Sequence, residues 1–205
     1  MNPLFARLLR RPGAMGPIEI SHSEERDDCR LAIEHEIYEK RFAKLGTVDK
    51  GTQILLMLKY QEMLRNGISL PSLDEVPFRA FSQNGEDGVL LYLFSLVGTT
   101  NKRCVELCAG SGIECNTAIL IINHGWEALL DDGSQRNVDV GKAFYRSCPD
   151  TRPWPPCFIK AWLTAETINQ LLRQHGMTGP IDLFSLDIDG NDYWLWKAIE
   201  CIEPR

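Results

Sequence analysis

The sequence predicts an α/β protein: a doubly wound, Rossmann-like parallel sheet preceded by a helical appendage. Three observations carry this expectation. From about residue 79 onward, short apolar runs of strand length alternate with helical stretches. Polar, glycine-containing loops follow those runs, where an open α/β sheet binds its ligand. Residues 1–78 carry helical periodicity instead, and no such alternation.

Taken in order, Met1–Arg11 mixes leucines with arginines and ends at Pro12-Gly13. It reads as a frayed terminus, with a short membrane-surface helix or targeting stub as the alternative. Ser21 and Glu24 have capping-box spacing. Cys29, Ile33 and Ile37 recur every four residues, Phe42 and Leu45 extend the stripe, and Gly46 ends it. A second helix is expected over Val48–Arg65, then an extended link with Pro71 and Pro77. The core, residues 79–205, opens on the polar turn Ser82–Asp87 and a helix over Val89–Val97. Expected strands are Cys104–Leu107, Glu127–Asp131, Cys157–Ala161 and Ile181–Asp187. Expected helices between and after them are Ala118–Asn123, Val138–Tyr145, Glu166–His175 and Trp194–Ile199.

Composition narrows the classes. Hydrophobic residues make up 44% and charged residues 24%, ordinary for a globular chain. A net charge of −6 argues against a protein whose main task is gripping nucleic-acid phosphates. The 7 cysteines are odd in number and form no CxxC pair, so neither a disulfide framework nor a zinc ribbon is indicated, and a cytoplasmic location fits. Cys104 and Cys157 lie in apolar runs and read as small buried hydrophobes. No apolar run approaches the ~20 residues that span a bilayer.

The chemistry-bearing residues fall in the strand-end loops. Glu106-Leu107-Cys108-Ala109-Gly110-Ser111-Gly112 follows the first strand, and its glycines let backbone approach a ligand without a Cβ. Asp131, Asp132 and Gly133 end the second strand, where an acid can hold ribose hydroxyls. These features suit a dinucleotide or S-adenosylmethionine. The dinucleotide fingerprint is G-x-G-x-x-G, and the third position here is Cys115. Asn116 is a candidate cap for the next helix. Asp187–Asp192 holds three aspartates and an asparagine, with three readings open. Asp187 or Asp189 positions or deprotonates a substrate hydroxyl, or the acids bind a divalent cation, or the segment is a turn and helix cap. Asn191 and Asp192 suit the capping role best. Trp194 and Trp196 read as core or interface residues.

Ser82–Asp87, Val105–Gly112, Leu129–Ser134 and Ser185–Asp192, in that order, resemble FkbM-type methyltransferases, which are class I enzymes dependent on S-adenosylmethionine. The resemblance spans residues 80–200 and implies O-methylation of a sugar or small-metabolite hydroxyl. It implies that Glu106, Gly110 and Gly112 line the methionine side of the cofactor, that Asp132 holds the ribose, and that Ala161 and Trp162 lie near the adenine. The turn carrying Gln83, Glu86 and Asp87 is expected to close over the cofactor. Cys108 departs from the family, which usually has glycine there; a Cβ at this position costs conformational freedom if the loop needs positive φ, and it narrows the cofactor site. As a reactive thiol it lacks an electropositive setting, given Glu106 and Glu114 nearby.

A class I methyltransferase has seven strands, and only four are expected here. The fourth is then an exposed edge, a liability unless residues 1–75, a second copy or another partner covers it. Two other functions stay open: a non-catalytic nucleoside-binding or interaction module, and an NAD(P)-dependent oxidoreductase. Cys115 and the lack of a Tyr-x-x-x-Lys pair disfavour the oxidoreductase.

Overall fold

The computed structural model describes residues 29–37 and 48–205. The readings of Met1–Arg11, the Ser21/Glu24 cap, Phe42, Leu45 and Gly46 fall outside those residues. Helix α1 covers residues 29–37. It lays Ile33 and Ile37 on the core as its stripe requires, and Glu36 pairs with Arg136 at 3.0 Å. Helix α2 (Lys50–Arg65) starts at Asp49, whose carboxylate accepts from the Thr52 N–H. It packs on α3 (Glu86–Val97) through an edge-to-face pair, Tyr60 with Tyr92, 4.9 Å between ring centres. The appendage and the first core helix thus share one small apolar cluster around Tyr60, Val76 and Tyr92.

The remaining elements alternate as β1 (Arg103–Leu107), α4 (Ala118–His124), β2 (Glu127–Asp132), α5 (Gln135–Ser147), β3 (Cys157–Lys160) and α6 (Ile168–Gln174). Then come β4 (Gly179–Ile181), β5 (Leu183–Leu186), α7 (Asp192–Ala198) and β6 (Ile202–Pro204). Four strands form an all-parallel sheet in the order β3-β2-β1-β5. Both faces are covered, as the period-two alternation of buried strands demands. Cys104, Ala128, Leu130 and Phe158 face α4 and α5; Val105, Leu107 and Leu129 face α6 and α7. The architecture is α/β and compatible with a Rossmann-like fold. The chain adds β2 and β3 on one side of β1 and β5 on the other. That reversal opens a crevice beyond the carboxyl ends of β1 and β5.

Two expectations need correction. The Ile181–Asp187 run is not one strand, because Asp182 interrupts it. Its buried carboxylate turns aside to accept the N–H groups of Thr100, Asn101 and Lys102 at 2.6–2.9 Å. Nor is the run left wholly uncovered. β6 pairs in parallel with β4, Ile202 opposite Gly179, and of the two pieces of the run it is β5 that forms an edge of the larger sheet. Beside β5 lies an apolar groove with Phe184, Leu186, Tyr193 and Trp196 in its walls. Trp194 and Trp196 are 60% and 65% exposed, so neither is a core residue. Cys157 is likewise exposed, because β3 is the opposite edge of the sheet.

Asp182→Ala strips three backbone donors of their shared acceptor. It is expected to lower unfolding stability by about 1–3 kcal/mol, read as a lower urea midpoint at neutral pH. An unchanged midpoint would contradict the role assigned to that carboxylate.

Candidate functional site

The crevice holds a cavity of about 270 Å³. Its walls come from the turn before α3 (Gln83, Asn84, Glu86), the loop after β1 (Cys108, Ala109, Gly110, Ser111) and the approach to α4 (Glu114, Cys115, Asn116), with Glu106 and Asp187 at the strand ends. Six expected site residues are therefore brought together: Gln83, Glu86, Glu106, Cys108, Gly110 and Asp187. The charged lining groups are all carboxylates: Glu86, Glu106, Glu114 and Asp187.

Glu106 sits at the end of the central strand with its side chain 5% exposed. Its carboxylate accepts from the Asn116 N–H at 2.9 Å, from the Thr117 N–H at 2.8 Å and from the Thr117 hydroxyl at 2.6 Å. The Ser185 hydroxyl approaches it at 3.4 Å. Glu106 thus does the capping at the start of α4. Asn116 does not, and its side-chain amide donates to the Ser185 hydroxyl instead.

With both ends of the 108–115 loop tied, three of its residues turn through positive φ: Cys108 at 60°, Gly110 at 59° and Gly112 at 68°. At Gly112 a Cβ would also lie 2.9 Å from the Phe158 ring, so glycine is needed there for packing as well as conformation. The Gly112 carbonyl accepts from the buried Tyr145 hydroxyl at 2.7 Å. Gly112 therefore frames the loop from beneath and does not line the cavity. Cys108, a non-glycine at positive φ, carries strain. Burial pushes its thiol up to about 12, helped by Asp131, Asp132, Asp187 and Asp192, so it is not an activated nucleophile. Burial also pushes the Cys115 thiol up.

Asp87 is fully buried and its Oδ2 accepts from the N–H groups of Ala80, Phe81 and Ser82, each at 2.7 Å. It shapes the turn that presents Gln83 and Glu86, and does not reach the cavity. Burial raises the Glu86 carboxyl. Hydrogen bonds from its own backbone, Asn84 and Ser82 outweigh that and hold it below the usual range.

A second cluster lies at the end of β2. The Asp132 Oδ1 accepts from the Ser134 N–H at 2.8 Å and the Asn137 amide at 2.9 Å, which leaves Oδ2 without a protein donor among the described residues. Ala161 donates its N–H to the Asp132 carbonyl, and the Trp162 ring, 84% exposed, lies over Gly133. Asp132, Ala161 and Trp162 are thus grouped with one another, outside the cavity wall, and Cys108 lies within electrostatic reach of Asp132.

In the Asp187–Asp192 loop the Asp192 carboxylate accepts from the N–H groups of Ile188 at 2.8 Å and Gly190 at 3.1 Å. Asp192 therefore shapes the turn before α7 and does not cap that helix, and Asn191, at the cap position, makes no side-chain capping hydrogen bond. Asp189 is exposed, with φ 55°, and does not line the cavity. Among the described residues no group of three His, Cys, Asp or Glu side chains is placed to hold a metal ion.

Sequence reasoning did not single out Asn84, Ser111 and Glu114 as lining residues, and it offered Asp131 with Asp132 as an acid for ribose, whereas Asp131 does not line the cavity. Asp131 is fully buried; its Oδ1 accepts from the Cys108 N–H at 3.0 Å, while Oδ2 has no partner among the described residues. Burial pushes its carboxyl up to about 7, against the Cys108 hydrogen bond and with help from Asp132. No family model matches the sequence, and no curated protein matches it.

The Asp131 shift fixes a pH dependence. From about pH 4 to pH 7 the folded chain keeps a proton that the unfolded chain has released, so this stabilisation is full at low pH and is lost as pH rises through 7. The stability difference between the native chain and Asp131→Asn should therefore change with pH between 5 and 8, with the native chain losing ground as pH rises. A difference that stays flat over that range would show Asp131 to be an ordinary ionised carboxylate.

Proposed function

We propose that this protein is a class I methyltransferase that binds S-adenosylmethionine in the crevice and methylates a hydroxyl on a sugar or small metabolite. The observation that carries the reading is the charge of the cavity wall: among the described residues, four carboxylates and no lysine or arginine. A pyrophosphate there would face like charges, each pair costing about 2–4 kcal/mol at 4–8 Å for an effective dielectric near 20. The same field favours a ligand with an ammonium and a sulfonium. This separates the proposal from an NAD(P)-dependent oxidoreductase more sharply than the Cys115 substitution does.

The chain's residues fit the ligand in three places. Asp132 Oδ2 is available to accept from ribose hydroxyls, with Trp162 beside it for the base. The positive-φ loop Cys108–Gly112 brings backbone against the methionine moiety, and Glu86 and Glu114 supply acceptors for its ammonium. When bound, the cofactor supplies an electrophilic methyl group. Asp187, the one strand-end acid of its loop that faces the cavity, orients an acceptor hydroxyl and takes up its proton on a carboxylate oxygen. Among the described residues no helix is long and apolar enough to cross a membrane.

A thermal-shift assay tests this reading. S-adenosylmethionine at 100 times its Kd adds about 2.7 kcal/mol, roughly 5–10 °C in Tm for a domain of this size. NADH is expected to add nothing, and Asp132→Ala to abolish the response. Stabilisation by NADH and not by S-adenosylmethionine would overturn the proposal. A response that survives Asp132→Ala would remove the ribose from Asp132.

A further inference from the structure

A second concave surface, of about 310 Å³, lies between α5 and the outer edge of β3. Its floor and one wall are apolar: Phe158 and Ile159 from β3, with Pro155 and Pro156 leading into it. Among the described residues its only charged lining groups are Lys142 and Arg146. These stand one helical turn apart on α5, with Cβ atoms about 6 Å from each other. Both are exposed, and among the described residues neither has an ion-pair or hydrogen-bond partner. Two cations with no acidic partner among the described residues, set over an apolar floor, stand out in a chain of net charge −6. β3 ends the four-stranded sheet, so its outer side is open to a ligand.

We infer that this groove docks an acidic peptide segment of a partner protein. Carboxylates of the peptide pair with Lys142 and Arg146, and an intervening apolar side chain seats on the two prolines beside the β3 edge. Pro155 and Pro156 have no N–H to offer, so side chains and the β3 edge carry the recognition. Two cations are too few to track a nucleic-acid backbone, which takes several phosphate contacts for useful affinity. The groove is separate from the carboxylate-lined cavity, although Tyr145 lines it and also holds the Gly112 carbonyl.

Fluorescence anisotropy with the whole chain tests the inference. The probes are a labelled eight-residue peptide of alternating glutamate and leucine, its lysine–leucine counterpart, and a labelled single-stranded oligothymidylate. The glutamate peptide should bind, more weakly as salt rises, and at least tenfold more weakly to Lys142→Glu/Arg146→Glu. Lys142→Gln/Arg146→Gln should fall between the two, and unchanged thermal midpoints show that both variants fold. Absence of glutamate-peptide binding, or binding indifferent to the double charge reversal, overturns the inference. Tighter binding of the oligothymidylate through the same two residues also overturns it, in favour of a nucleic-acid surface.

Discussion

The carboxylate of Glu106 is the interaction on which the crevice depends. It ends the central strand, and by accepting the Asn116 and Thr117 N–H groups it fixes where α4 begins. The loop 108–115 between has no freedom to extend β1 and must turn outward, which it does through the positive-φ backbone of Cys108, Gly110 and Gly112. A buried carboxylate is costly without donors, and here the donors are the ones α4 would otherwise leave unpaired at its start. One group settles both debts.

The same device recurs. Asp87 gathers the N–H groups of Ala80, Phe81 and Ser82; Asp182 those of Thr100, Asn101 and Lys102; Asp192 those of Ile188 and Gly190. Each converts an irregular segment at the margin of the sheet into a defined turn through charge-assisted hydrogen bonds. Acids spent in this way are not available to a ligand. The carboxylates that line the crevice among the described residues, Glu86, Glu106, Glu114 and Asp187, give it its sign. Asp131 stands apart, since its second oxygen is buried with no donor. Its preference for the proton follows from that.

Much of the fold was legible because buried strands are short apolar runs with polar ends. β1, β2 and β3 lie within a residue of where those runs predict them. Helices α3 and α5 begin three residues earlier than their apolar stripes do, since their first turns, Glu86-Asp87 and Gln135-Arg136-Asn137, are polar. The break between β4 and β5 was hidden in a single residue. Asp182 looks like one polar interruption of an apolar run, and its effect depends on donors some 80 positions away. The site was legible at the level of loops and not of atoms. Local spacing marks 108–112 and 187–192 as strand-end loops, but it does not say which carboxylates are consumed by backbone. So Asp87, Asp189 and Gly112 were expected at the ligand, and Glu114 and Asn84 were not. Cys157 misled because an apolar run on an edge strand has one side open to solvent.

The most direct measurement is a backbone amide NMR titration of the uniformly ¹⁵N-labelled chain with S-adenosylmethionine. If the crevice binds the adenosyl group as its charge and geometry suggest, saturable shifts will fall on residues 83–86, 108–116, 132–134 and 187, and the groove at Lys142 and Arg146 will stay silent. Saturable shifts centred elsewhere, or none at millimolar ligand, would contradict the reading of this crevice as a methyl-donor site.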